Sequence, residues 1–158
     1  MEFMSVKTEN IETRRQNKMG AYTEINVCFD LSQNASKEAV DILHSLIDGT
    51  NEPSALPQHE FFDCDRWSMV ARCDSYYFDG STSSKMKYDT ISETWKINIR
   101  ANLKNYDSEI EKFIDWLAPS IGTNGFIGYM RHEERYDPTL IYIEDGEVAF
   151  KSIKVNKI

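Results

Sequence analysis

Between Trp95 and Lys104 every second residue is apolar. Trp95, Ile97, Ile99, Ala101 and Leu103 alternate with Lys96, Asn98, Arg100, Asn102 and Lys104. Side chains along a strand point to opposite sides in turn, so this run is a strand with one apolar and one polar face. A single strand cannot hide that apolar face. The chain must supply partner strands on either side and a layer to cover them.

Both requirements are met elsewhere in the sequence. Ala21, Thr23, Ile25, Val27, Phe29 and Leu31 repeat the same alternation. KMKYD followed by ETWKINIRANLKN reads as a hairpin, and residues 126–133 read as another strand, with Phe126, Gly128, Met130 and His132 alternating with Ile127, Tyr129, Arg131 and Glu133. Asp145-Gly146 is a two-residue hairpin turn. It pairs Glu144 with Glu147, Ile143 with Val148 and Ile141 with Phe150, which brings the four apolar residues onto one face. DRWSMVARCD places Trp67, Met69, Ala71 and Cys73 at alternate positions and is expected to be a strand, with another beginning at Tyr76 to Asp79.

Two stretches have helical spacing. In SKEAVDILHSLIDG, Ser36 is the N-cap, Val40, Leu43, Leu46 and Ile47 share a face, and Gly49 closes the helix. In the second, Asp107 is expected to cap, Glu109 and Glu111 occupy the favourable first turn, and Ile110, Phe113, Ile114 and Leu117 form the apolar stripe. The expected architecture is α+β: an antiparallel sheet with two amphipathic helices packed on one face, a ferredoxin-like variant with an extra hairpin. Residues 20–158 form the domain, behind a mobile polar arm over residues 1–19.

Composition narrows the function. The 158 residues are 41% hydrophobic, enough for one domain with a core. The net charge is −8 and the pI about 4.9, which argues against direct binding of nucleic acid and for solubility or a basic partner. The three cysteines, Cys28, Cys64 and Cys73, are odd in number and include no CxxC, so reduced thiols are expected. The first residues contain no apolar segment of a signal peptide, and no run reaches the roughly 18 apolar residues of a membrane helix. A cytoplasmic protein without a cofactor is the resulting expectation. No serine sits in GxSxG and no glycine-rich phosphate loop is present.

Two stretches invite a catalytic reading. MRHEERYDP offers His132, Glu133, Glu134 and Asp137. A zinc-protease helix needs a second histidine four residues after the first, and that position is Tyr136. A charged strand end running into a turn at Asp137-Pro138 is the plainer reading. HEFFDCDRW offers His59, Asp63 and Asp65. Were His132 to meet these three, a metal-dependent hydrolase site would form. The alternative is a binding surface. DSYYFDGS carries three adjacent aromatics, and Asp74, Tyr77 and Asp79 together with Glu133, Glu134, Tyr136 and Asp137 would make an acidic, tyrosine-bearing patch if the two segments adjoin.

The runs GFIGYMRHEERYDPTLIYIEDGEV and DRWSMVARCDSYYFDG resemble small uncharacterised proteins carried by phages and prophages of low-GC Gram-positive bacteria, over residues 20–153. The resemblance implies a mobile-element setting and brings no catalytic motif. Small acidic proteins in that setting often occupy a basic surface of a nuclease or other host defence effector. The leading expectation is therefore a non-enzymatic inhibitor, of the anti-CRISPR or toxin-immunity kind. A metal-dependent hydrolase and a virion structural or assembly protein are the alternatives.

Overall fold

The computed structural model describes residues 21–50, 52–78, 82–135, 137–153 and 156. The arm expected over residues 1–19 lies outside them. In chain order the regular elements are β1 (Thr23–Asp30), α1 (Lys37–Asp48), β2 (Lys85–Asp89), β3 (Thr94–Leu103), α2 (Glu109–Leu117), β4 (Gly125–His132), β5 (Thr139–Glu144) and β6 (Glu147–Ser152). The six strands form one antiparallel sheet in the order β2-β3-β1-β4-β5-β6. The class is α+β, as the alternation and helical spacing require.

The apolar alternation lands where it was expected. Ile25, Val27 and Phe29 of β1 and Ile97, Ile99 and Leu103 of β3 join one buried cluster with Ile42, Leu43 and Leu46 of α1 and Ile110, Phe113, Ile114 and Leu117 of α2. Ser36 caps α1, its Oγ accepting from the Ala39 N–H at 3.1 Å. At the other end the Gly49 N–H donates to the Ser45 carbonyl at 2.9 Å. The Arg72 Nε donates to the Leu46 carbonyl at 3.0 Å, putting a cation at the negative end of the helix dipole. Val40 and Ile47 are only half-buried, because Ala39 and Ile42 turn the inward face slightly from the expected stripe.

The second helix is capped differently from the expectation. Ser108 occupies the N-cap position in the left-handed region and makes no side-chain cap. Asn105 supplies it, its Oδ1 accepting from the Ile110 N–H at 2.9 Å. Glu109 is fully buried, and its Oε2 accepts from the Asp107 N–H at 3.1 Å.

The strands expected over residues 66–79 do not form among the described residues. Glu60–Asp63 and Trp67–Met69 are short 3-10 turns, and residues 71–78 are turns and bends. Consecutive residues Val70 and Ala71 are both buried while Met69 is exposed, which departs from the alternation expected of Trp67, Met69, Ala71 and Cys73. Aromatic packing fixes this segment instead. Phe61 is fully buried, with its ring centroid 4.9 Å from Phe62, 6.1 Å from Trp67, 5.3 Å from Phe113 and 5.9 Å from Trp116.

The Asp145-Gly146 hairpin has the expected register, Glu144 with Glu147, Ile143 with Val148 and Ile141 with Phe150. Both turn residues have positive φ (53° and 79°), as a tight primed turn requires. Ile141 and Ile143 are buried, while Phe150 at the outer edge strand stays exposed.

β4 departs from simple alternation. Its register against β5 shifts between Phe126 and Gly128, so Ile127 is an extra residue. Ile127 is buried, while Phe126 pairs with Tyr142 and Tyr129 with Leu140 on the opposite side. The bulge thus carries Phe126 onto the side of Tyr129. Gly128 sits at φ +151° against Val27 of β1. A Cβ there would lie 2.0 Å from the Asn26 carbonyl oxygen and 2.7 Å from the Val27 Cα.

The face opposite the core is laid out in cross-strand rows. One continuous row is Arg100–Asn26–Tyr129–Leu140–Lys151, running from β3 to β6. Beside it lie Lys85–Asn98–Cys28 on the first three strands and Phe126–Tyr142–Ala149 on the last three. Lys85, Asn98, Cys28, Phe126 and Lys151 are exposed.

Candidate functional site

Three strand ends meet where β1 begins, β3 ends and β4 ends, and the outward side chains there are aromatic and charged. Tyr22 precedes β1 on the outward side. Tyr77 packs on it, ring centroids 5.6 Å apart, and Tyr76 stacks on Tyr77 at 4.5 Å and 25°. The stack projects outward, with Tyr76 88% and Tyr77 48% exposed. Lys104 lies over the Tyr22 ring at 5.6 Å. The neighbouring Phe78 carries the Arg131 guanidinium at 5.2 Å, and Arg131 in turn holds the buried Glu24 through two donors at 3.0 and 3.2 Å. The Glu133 N–H donates to the Tyr22 carbonyl at 2.9 Å.

Segments 74–78 and 131–134 therefore adjoin. Antiparallel pairing of β1 with β4 brings them together, setting Thr23 opposite His132. Asp74 is on this surface, but its carboxylate is occupied. It accepts from the Ser75 N–H at 2.8 Å, the Thr82 N–H at 3.3 Å and the Asn102 amide at 3.2 Å. These donors hold its carboxyl below the ordinary carboxylate range, the Thr82 and Ser75 N–H groups first. Asp74 clamps the loop to β3 through Asn102 and stays exposed on this surface. Asp79 and Tyr136 lie outside the described residues.

The other acidic residues surround the start of α2. Glu134, Asp137 and His132 line a cavity of about 460 Å³ with Asn105 and Glu111. Glu60, Asp63 and Asp65 line another of about 380 Å³ with Asp107 and Lys112. Glu111 and Lys112 are consecutive in α2, so the two acidic groups flank its first turns.

The four residues proposed for a metal do not assemble. His59 uses both ring nitrogens locally: Nδ1 accepts from the Phe61 N–H at 3.1 Å, and Nε2 meets Asp115 of α2 at 3.1 Å. His132 lies in the first cavity, where its Nδ1 accepts from the Glu134 N–H at 3.2 Å. Asp63 and Asp65 line the second. Among the described residues no three His, Cys, Asp or Glu side chains converge as a metal ion would need. The short turn that begins after His59 holds its ring between the Phe61 N–H and Asp115 of α2. Burial raises the Cys64 thiol despite the Lys112 ammonium 3.8 Å from it, so that sulfur stays protonated and a poor nucleophile.

Tyr22 and Tyr106 were not singled out from the sequence, and Tyr76 entered only as one of the three adjacent aromatics of DSYYFDGS. Tyr22 had a readable signal, because it falls on the outward parity of β1. Tyr106, with Arg66 4.9 Å over its ring, follows the end of β3 and had none. No family model, curated protein or solved structure matches the chain. No helix among the described residues is long and apolar enough to cross a membrane.

The stack has an electrostatic signature. The Tyr77 hydroxyl is pushed up from 10.0 to about 12, by its hydrogen bond with Tyr76 first and the nearby Tyr76 and Glu133 charges next. Above pH 10 the unfolded chain ionises this tyrosine while the folded chain keeps it neutral. Its contribution to stability is thus complete below pH 10 and is lost as the pH climbs toward 12. Absorbance titration should show one tyrosine ionising near pH 12. Tyr76→Phe keeps the stacked ring but removes the hydroxyl, so it should return the late phase toward 10, and an unchanged late phase would show that the hydroxyl contact is not its cause.

Proposed function

We propose that this is a small non-enzymatic binding protein of a phage or mobile element, which occupies a basic surface of a nucleic-acid-handling partner in the cytoplasm as an anti-defence or toxin-immunity inhibitor. The observation that carries the reading is the Tyr22–Tyr77–Tyr76 stack, exposed at Tyr76 and Tyr77, beside Glu133, with Glu134 and Asp137 in the adjoining cavity. Exposed tyrosines normally lose rotamer freedom on binding. Here stacking has already fixed two rings, so contact area is gained at low entropic cost. The carboxylates alongside would speed encounter with a basic surface and select against acidic ones.

The same reading takes the sheet as a ferredoxin-like variant. The element order through β4 is β-α-β-β-α-β, and its strands lie in the order β2-β3-β1-β4, which supports it; β5 and β6 are then the extra hairpin on the β4 side. Both helices give their apolar stripes to one buried cluster, which supports a cover on one face.

Glu134 and Asp137 are exposed, so Glu134→Lys and Asp137→Lys should change stability by under about 0.5 kcal/mol each. Affinity capture from the host should recover a basic, nucleic-acid-handling protein. Titration of the purified pair should weaken roughly tenfold or more both in the double charge reversal and in Tyr76→Ala, with a strong salt dependence for the wild type. Affinity unchanged in both variants would overturn the proposal.

A further inference from the structure

The Tyr22–Tyr77–Tyr76 stack is covered at one end and open at the other. At the Tyr22 end Lys104 lies 5.6 Å over the ring. At the Tyr76 end one ring face rests on Tyr77, and among the described residues no cation lies over Tyr76. The carboxylate beside the stack also lacks a partner. Glu133 is half-buried, its Oε2 has no hydrogen-bond partner, and no ion pair among the described residues includes it. The neighbouring cations do not fill these places. Arg131 is held by Glu24 at 3.0 Å, and the exposed Arg135 pairs with neither Glu133 nor Glu134. One guanidinium on this surface already shows how a second would sit. Arg131 lies 5.2 Å over the Phe78 ring while its Nη2 and Nε donate to Glu24 at 3.0 and 3.2 Å.

We infer that the partner is held through an arginine side chain, its guanidinium stacked on the open face of Tyr76 and its edge donating to Glu133. A guanidinium is flat, weakly hydrated and carries its donors around the rim, so it can lie on a ring and bond a carboxylate at the same time. A lysine ammonium is a compact, strongly hydrated point charge, and it gives up more hydration to reach the ring. An apolar or aromatic segment would cover Tyr76 and leave Glu133 without a donor. A phosphate-bearing chain would be repelled by the same carboxylate. The inference rests on the binding reading above and adds the chemistry of the group that is bound.

Fluorescence anisotropy of labelled octa-arginine and octalysine with the full chain tests it, because the two peptides carry equal charge. Octa-arginine should bind about fivefold or more tightly than octalysine at low salt, within the span from an exposed to a desolvated cation–π contact. Tyr76→Leu keeps apolar bulk without a ring and should remove that preference, while Tyr76→Phe should keep it. Glu133→Gln should weaken octa-arginine more than octalysine. Should Tyr76→Leu loosen its loop, Glu133→Gln preserves the side-chain shape and carries the same test. Three outcomes overturn the inference: equal affinity for the two peptides, no binding of either, or a preference unchanged in both Tyr76→Leu and Glu133→Gln. Equal affinity, with a captured host partner still weakened by the charge reversals, removes the arginine and leaves the inhibitor reading in place. An arginine preference without any host partner does the reverse.

Discussion

Gly128→Ala should be the most damaging single-methyl change in this protein, costing on the order of 4 kcal/mol or more and lowering the Tm by roughly 10 °C or more. The added Cβ would meet backbone atoms of β1 at 2.0 and 2.7 Å, and backbone in a central strand cannot move aside as a flexible side chain can. The φ of +151° adds strain for any residue with a Cβ. Gly125→Ala is the internal control. That glycine also has positive φ, +109°, but nothing lies within 4 Å of the position its Cβ would take. Its substitution should cost only the backbone strain, about 1–3 kcal/mol. Thermal denaturation of the two variants separates the effects. Equal losses would show that β4 does not approach β1 as closely as described.

Phe61→Ala should cost about 3–5 kcal/mol in chemical denaturation, the range for removing a fully buried aromatic ring. The ring is the centre of a group formed by Phe62, Trp67, Phe113 and Trp116, and it ties the turns over residues 60–69 to α2. Losing it should loosen the loop before the sheet, so tryptophan emission from Trp67 and Trp116 should shift red at denaturant concentrations where the far-ultraviolet signal is still native. A loss below about 1 kcal/mol would mean that the loop is held by something other than this cluster.

These two positions also mark where the sequence could and could not be read. The Asp145-Gly146 hairpin and the alternation in β3 were legible because turn chemistry and pattern act over neighbouring residues and agree. The caps of α1 were legible for the same reason. Residues 66–73 misled: four apolar residues at alternate positions are too few to separate a strand from a folded-back loop. The winning term was aromatic packing of Trp67 on Phe61 and Phe62, and of these two on a helix some fifty residues away. In β4 a local pattern was present but the bulge at Ile127 inverted half of it, which only the neighbouring strands could dictate. The site followed the same division. His59, Asp63, Asp65 and His132 looked compatible by residue type, and their separation depends on which way a short turn points. The meeting of Tyr77 with Glu133 depends on pairing between the first and fourth strands, for which no short-range signal exists.

That pairing also has a consequence in time. Among the described strands β1 is made first and lies in the middle of the sheet, yet its two partners come late: Val27 pairs with Ile99 of β3 and, about 100 residues downstream, with Gly128 of β4. At ribosomal speeds of about 5–20 residues per second, the second edge of β1 waits roughly 5–20 s after β1 itself has been made. Through that interval the nascent chain displays an apolar strand with open hydrogen-bonding edges, covered at best by α1. The strand that organises the finished sheet is thus the one most exposed to wrong partners during synthesis, and slowing translation between β1 and β4 should lower the soluble yield more than slowing it after β4.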